Sequence, residues 1–331
     1  MTKRERMNAF LKGEAVDRPP VSFWRHFYPD ETTPEGLANA MLTFQDKFDW
    51  DFMKVNPRAS YHAEALGSTY AFPKQGTKTE LAEPAVQTGS DWSKLRPVSP
   101  REGVLGDHVR ALEMIGEKLA GDVHFIQTIF TPLSIAMALC SGQEQFLTDL
   151  RERPAEIRTA LEIITETFAN FAEASISAGA DGIFLATTQM ATTNMLGHDE
   201  YQEFGRAYDL EILRPIRGRA ELLLLHVCKG NNMLLELLDY PVHMFNWDAT
   251  DSTNPTISKV RHLTDKCIIG GVDHKASFAD GNQDKALGEA ADAFEGTGGK
   301  GWALGAGCTI PMDASQQTLR ALRDAVENMK S

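Results

Sequence analysis

Short apolar runs alternate with helical stretches eight times along this chain, and that alternation restricts it to folds built on a parallel sheet. The runs are Val21–Trp24, Phe52–Val55, His124–Phe130, Asp181–Ala186, Glu221–Cys228, Val242–Trp247, Cys267–Val272 and Gly301–Gly305. The four consecutive leucines at 222–225 mark a strand buried on both faces, as a strand between a barrel interior and a helical jacket must be. Spacing predicts helices over 2–12, 34–48, 105–119, 133–150, 154–177, 199–215, 231–239, 284–295 and 314–329. Thr33 before Pro34 reads as an N-cap with proline at the first helical position. Eight strands, each followed by helical material, predict an α/β (β/α)8 TIM barrel. A doubly wound open sheet is the alternative, but no strand here leads into GxGxxG.

Residues 66–104 interrupt the alternation. They are rich in Gly, Pro, Thr and charge, with Lys74-Gln75-Gly76 as a hairpin turn, and are too polar to carry a core of their own. They read as a hairpin-containing insertion after the second strand of one barrel domain spanning 1–331. The net charge of −13, from 33 basic and 46 acidic residues, contains no basic block. That argues against nucleic acid or an anionic membrane as a partner. No window offers ~20 uninterrupted apolar residues, so no membrane span is expected. The charged start MTKRERMNAFLKGE lacks a signal-peptide core, and four cysteines (140, 228, 267, 308) make no disulfide framework. A cytoplasmic enzyme is the expectation.

In such a barrel, chemistry gathers at the C-terminal ends of the strands. The run ELLLLHVCKG places His226 and Cys228 two residues apart, hence on one side of a strand end, and Cys308 follows the last strand. A thiolate and an imidazole on one face are half of a zinc site, and Cys308 would supply a third ligand. The alternative is two core cysteines and a hydrogen-bonded histidine. Asp248, at the next strand end, would be a fourth, displaceable ligand, a partner of His226, or a helix cap. Cys140 and Cys267 read as core. Asp273-His274 would be an acid–base pair or a cap. Arg25 and His26 would hold a substrate anion or tie down a loop, and Glu64 would face the mouth or solvent.

The opening TKRERMNAFLKGEAVDRPPV, AEALG at 63–67, TPLSIA at 131–136, AGADGIFLA at 178–186, IIGGVDHK at 268–275 and the closing GCTIPMDASQQTLRAL resemble the uroporphyrinogen decarboxylase superfamily. The resemblance runs in order over nearly the whole chain and implies the same barrel. It also implies one of two activities. The true decarboxylases carry two arginines in a run like MRQAGRY; Arg25 matches the first, and the second is missing. Asn56-Pro57 stands where their catalytic aspartate follows the second strand, and Cys308 where they have a histidine.

The zinc-containing, cobamide-dependent methyltransferase branch, similar to methylcobamide:coenzyme M methyltransferases, matches better. Its zinc ligands carry over onto His226, Cys228 and Cys308. The resemblance thus implies Zn2+, a methylated corrinoid on a partner protein as methyl donor, and a small thiol acceptor bound to zinc. His62 stands where the archaeal coenzyme M enzymes have a glutamate, which implies a different acceptor. Lys229, Arg25 and Arg58 are candidates for the acceptor's anionic tail, and His26, Asn56, His62, Asp273 and His274 for substrate binding. A metal-free decarboxylase and a non-catalytic barrel that binds a corrinoid protein are the competing readings.

Overall fold

In the computed structural model, which describes residues 1–28, 30–72, 77–279 and 281–329, the strands are β1 (Phe52–Val55), β2 (Thr69–Ala71), β3 (Glu80–Glu83), β4 (His124–Phe130), β5 (Gly182–Ala186), β6 (Leu222–Val227), β7 (Met244–Trp247), β8 (Cys267–Val272) and β9 (Trp302–Ala306). Seven of them form one sheet in the order β1-β4-β5-β6-β7-β8-β9, and every neighbouring pair is parallel. β2 and β3 form a separate antiparallel hairpin within the expected insertion. The turn expected at Lys74-Gln75-Gly76 lies outside the described residues.

The eighth member closes the ring without a regular ladder. Val21 bridges Leu304 and Arg25 bridges Ile310, both in parallel. Leu304 donates to the Pro20 carbonyl at 2.8 Å, and Ser22 donates back to Leu304 at 3.0 Å. On the other side, Asp51 N–H reaches the Val21 carbonyl at 2.9 Å, while the Ser22 hydroxyl takes the Phe52 carbonyl at 2.7 Å. Pro19 and Pro20 have no N–H to give, so a continuous ladder cannot form at the start of this segment. The chain is a (β/α)8 barrel whose first strand is reduced to bridges; the open doubly wound sheet is ruled out by this closure.

Side chains sort by strand period. Phe52, Ile126, Phe184, Leu222, Leu224, Met244, Ile269 and Ala303 point inward and pack together inside the barrel. Met7 and Phe10, from the helix Lys3–Leu11, join that cluster and stop the barrel's N-terminal end. Cys267 belongs there too, its thiol 3.3 Å from the Phe10 carbonyl, and Cys140 packs in the outer layer between sheet and helices. Both are core, as expected. Buried Asp51 welds the closing segment to β1: it accepts from Arg6 (2.7 Å), Arg18 (2.6 Å) and the Val21 N–H (2.8 Å).

Three helical expectations are corrected. The stretch 133–150 is two helices, Pro132–Ala138 and Gln143–Glu152, broken at Ser141-Gly142. The stretch 199–215 contains a π-helical turn over Gln202–Arg206. The stretch 231–239 is a loop with one 3-10 turn at Leu234–Glu236. There Asn231 adopts a left-handed backbone (φ 50°), and the Asn232 side chain accepts from Leu234 N–H, so side chains supply the bonds that a helix would have made. Among the described residues no helix is long and apolar enough to cross a membrane.

Candidate metal centre at the barrel mouth

β6 delivers His226 inward, and the chain then turns sharply. Lys229 sits in the left-handed region (φ 71°), a strained conformation for a side-chain-bearing residue. Asn254 holds it there: its amide donates to the Lys229 carbonyl and to the Asp248 carbonyl, both at 2.9 Å, clamping the loops after β6 and β7 together. Cys308 arrives from the loop after β9. Gly307 before it passes so close to Asp248 that a Cβ would lie 2.6 Å from the Asp248 Cα, so no larger residue fits without moving that strand end.

The ligand atoms of His226, Cys228 and Cys308 all lie within 4.8 Å of one another. The two Sγ atoms are 3.9 Å apart, and Cys308 Sγ is 3.5 Å from His226 Nε2. Tetrahedral zinc, with Zn–S of about 2.3 Å and Zn–N of about 2.0–2.1 Å, needs sulfur–sulfur and sulfur–nitrogen separations of about 3.8 and 3.5 Å. The donor set and these two separations therefore fit a zinc ion with one position left open. Contact with the Cys228 sulfur holds Cys308 well below the usual thiol range despite its burial. The same contact, together with burial, pushes Cys228 up. A second cluster, His124, Asp181 and Glu221, lies at the other end of the barrel. Arg4 already occupies it, 2.8 Å from Asp181 and 3.0 Å from Glu221.

The triad opens into a cavity of about 820 Å3 lined by Cys228, Cys308, His26, Lys229, Asp248 and His274, among others. Another hollow, of about 740 Å3, surrounds the helix Lys3–Leu11 and contains none of the expected site residues.

Asp248 is not within that 4.8 Å group. Its Oδ1 accepts from Thr250 N–H (3.1 Å) and hydroxyl (2.6 Å), and its Oδ2 faces His274 Nδ1 at 3.3 Å. Burial raises this carboxyl, but His274 and Thr250 outweigh it and hold it down at about 2. The Asp248–His274 contact lacks hydrogen-bond alignment and becomes an ion pair only when the imidazole is protonated. Burial disfavours the charged form of His274, and Asp248 and Cys308 more than offset it, raising its pKa.

Other expected site residues have structural work instead. Asp273 is not His274's partner: it accepts from Lys275 N–H at 2.9 Å and Ala276 N–H at 3.4 Å and pairs with Lys285 at 3.3 Å, bracing the chain as it enters the turn Ala276–Phe278. Arg25 donates to the Met312 carbonyl and lies over the rings of Phe27 and Phe44, tying down the closing loop rather than facing the cavity. Arg58 is bound bidentately by Glu64 (2.9 and 2.8 Å), which also accepts from Ser60, so neither is free for a ligand. Buried His62 has both nitrogens engaged: Nε2 accepts from Phe130 N–H at 2.9 Å, and Nδ1 faces the Ala59 carbonyl at 3.4 Å. Burial drives its pKa well below the ordinary value. His26 does line the cavity, with Nδ1 2.9 Å from Glu31 and 3.0 Å from the Asn56 amide.

Two residues carry no signal in the sequence. Asn246, on β7, lies 2.6 Å from His226 Nδ1. Lys54, on β1, points into the barrel, donates to Asn56 Oδ1 and lies 4.6 Å from the Phe184 ring centroid. Burial depresses it to about 7, against the opposing charges of Cys308 and Glu31. Phe184 also stacks on the His226 ring, with centroids 5.3 Å apart.

The family model described as uroporphyrinogen decarboxylase (URO-D) matches residues 2–329. The chain is similar to the methylcobamide:CoM methyltransferase MtbA of Methanosarcina acetivorans, 20% identical over 99% of this chain and 98% of that one. It is also similar to the methylcobamide:CoM methyltransferase MtaA of Methanosarcina barkeri, 23% identical over 89% of each. Among solved structures, a methyltransferase from Methanosarcina mazei superposes with a TM-score of 0.87 at 22% identity, covering 99% of both chains.

Proposed function

The chain belongs to the uroporphyrinogen decarboxylase family, and from that premise we propose that it is a zinc-dependent methyltransferase that moves a methyl group from a methylated corrinoid, carried by a partner protein, to a small thiol. The observation that carries this reading is the triad geometry: sulfur–sulfur 3.9 Å and sulfur–nitrogen 3.5 Å, matched to tetrahedral zinc with an open position. The methylcobamide methyltransferases to which the chain is similar over nearly its whole length support it.

His226, Cys228 and Cys308 would hold the ion, whose chemistry is to stabilise the acceptor as a thiolate at neutral pH. The acceptor sulfur attacks the methyl carbon, and the carbon–cobalt bond breaks with its electron pair left on cobalt. His274, oriented by Asp248, lines the same cavity and is placed to take up the proton that the thiol gives away. Lys229 and Lys275 also line it and offer positive charge to an anionic acceptor or donor. The four cysteines are all unpaired, which suits a reducing compartment, and we take residues 1–331 as a single barrel domain working in the cytoplasm.

A metal-free decarboxylase is disfavoured because a polycarboxylate needs a cationic cradle. Arg25 is spent on Met312, and Arg58 on Glu64. The deciding experiment measures metal in protein purified without added zinc, then thioether formation from methylcobalamin across a panel of thiols. About one zinc per chain, lost in Cys228→Ser and Cys308→Ser together with transfer, is expected. Folded, metal-free wild type would overturn the reading. Zinc-loaded wild type that makes no thioether would favour the binding-only barrel.

A further inference from the structure

We infer that Asn246 is the positioning residue of the metal centre, fixing both the ring orientation and the tautomer of His226 so that Nε2 presents a lone pair to the metal. The inference deepens the zinc reading and rests on it.

Asn246 and His226 are register partners on β7 and β6, side by side on the inner face of the barrel. The amide of Asn246 has its two N–H bonds spoken for. Nδ2 donates to the Ile269 carbonyl on β8 at 2.8 Å and to the Ala306 carbonyl on β9 at 3.0 Å. Turning the amide over would aim its oxygen at two buried carbonyl oxygens, replacing two hydrogen bonds by two repulsive contacts, at a cost of about 1–3 kcal/mol for each. Oδ1 must therefore face His226 Nδ1, 2.6 Å away. An amide oxygen can only accept, so Nδ1 must carry the proton. In the neutral ring Nε2 is then unprotonated, and it is Nε2 that stands 3.5 Å from Cys308 Sγ.

A neutral histidine side chain in water favours the opposite tautomer, with the proton on Nε2, which would block coordination through that atom. Four strands thus act on one proton: β8 and β9 orient the amide, β7 carries it, and β6 receives the result. Phe184 stacks against the ring and limits its rotation. Asn246 is wholly buried, so no water competes for these bonds.

Two variants separate positioning from mere structure. Asn246→Leu removes the acceptor together with both donors. Asn246→Asp keeps an oxygen for Nδ1–H but loses both donors to the carbonyls. Zinc affinity, measured by chelator competition, is expected to fall about 10–100-fold in Asn246→Leu. In Asn246→Asp it is expected to stay within about threefold of wild type even though the melting temperature drops. Long-range 1H–15N spectra of zinc-free wild type should show His226 protonated at Nδ1, and those of Asn246→Leu a mixture of tautomers.

A wild-type His226 protonated at Nε2 would overturn the inference, and so would a folded Asn246→Leu with wild-type zinc affinity. The wild-type spectrum decides the matter even if Asn246→Leu does not fold. It also keeps this inference distinct from the zinc reading, because a wild type that binds no zinc defeats the latter and leaves the tautomer to be read.

Discussion

His274 Nδ1 lies 3.3 Å from Asp248 Oδ2, so the histidine after β8 is paired with the aspartate after β7 and not with its own neighbour Asp273. Asp248→Asn is expected to lower the titration midpoint of His274 in an NMR pH titration, because its carboxylate is the main group raising it. The folded pKa is the raised one, so the pair stabilises the fold fully below the unfolded value near 6.5. That contribution fades as pH rises through the folded value, and the variant should lose it. Asp273→Ala should leave zinc content unchanged and cost only about 0.5–2 kcal/mol, as the loss of an acceptor for turn N–H groups does.

Asp51 is the most exposed point of weakness in the closure of the ring, although it is itself buried. Asp51→Ala leaves Arg6 and Arg18 as buried charges without their shared partner and removes the acceptor for Val21 N–H. A loss of about 3–5 kcal/mol in denaturant unfolding is expected. An unchanged midpoint would show that the closing segment is held by its strand bridges alone.

Asp209, within the helix Ala207–Leu213, accepts from the hydroxyls of Tyr201 (2.8 Å) and Tyr240 (2.9 Å) through one oxygen. Its other oxygen has no partner among the described residues. Burial raises its pKa to about 7, although the two tyrosines and Arg206 pull the other way. The folded protein therefore keeps a proton that the unfolded chain gives up near pH 4. Stability from this group is present below that pH and is lost, by roughly 4 kcal/mol, as pH rises to about 7. Asp209→Asn should flatten the stability profile between pH 4 and 7 by about one proton's worth of slope, measured by urea titration across that range.

Lys54 makes the opposite case. Its ammonium is depressed to about 7 inside the barrel, so the unfolded chain binds the proton more readily below its ordinary value of 10.5. The fold bears this burden in full below about pH 7 and sheds it as pH rises toward 10.5. Lys54→Met is expected to raise stability by about 1–3 kcal/mol at pH 7, less at pH 9.5. No gain at pH 7 would mean that its bond to Asn56 and its place over Phe184 offset the burial.

The parts of this molecule written in local pattern were legible in advance. Leucines 222–225 form the strand covered on both sides that their pattern indicated, and the His-x-Cys at its end brings an imidazole and a thiol together. The closing segment was legible as apolar but not as irregular, because the missing ladder comes from proline N–H groups lost at a junction between distant strands. The stretch 231–239 has helical spacing, yet Asn231, Asn232 and Asn254 offered side-chain bonds that local periodicity does not register. Asn246 in Met244–Trp247 looks like any polar residue in a strand. Its role exists only once register sets it beside His226 and across from Ile269 and Ala306. Arg25, Arg58 and His62 show the converse: their partners, Met312, Glu64 and Phe130, are supplied by the fold and have no mark in local sequence.

Met7 and Phe10 stopper the floor of the barrel, and this fixes more than stability. A vessel sealed below has one doorway, which all reactants must share. Under the proposed transfer, a carrier protein seated over the mouth would bar a late-arriving thiol. The small reactant has to go in first and wait, and the order of arrival is then written into the plug at the far end of the molecule.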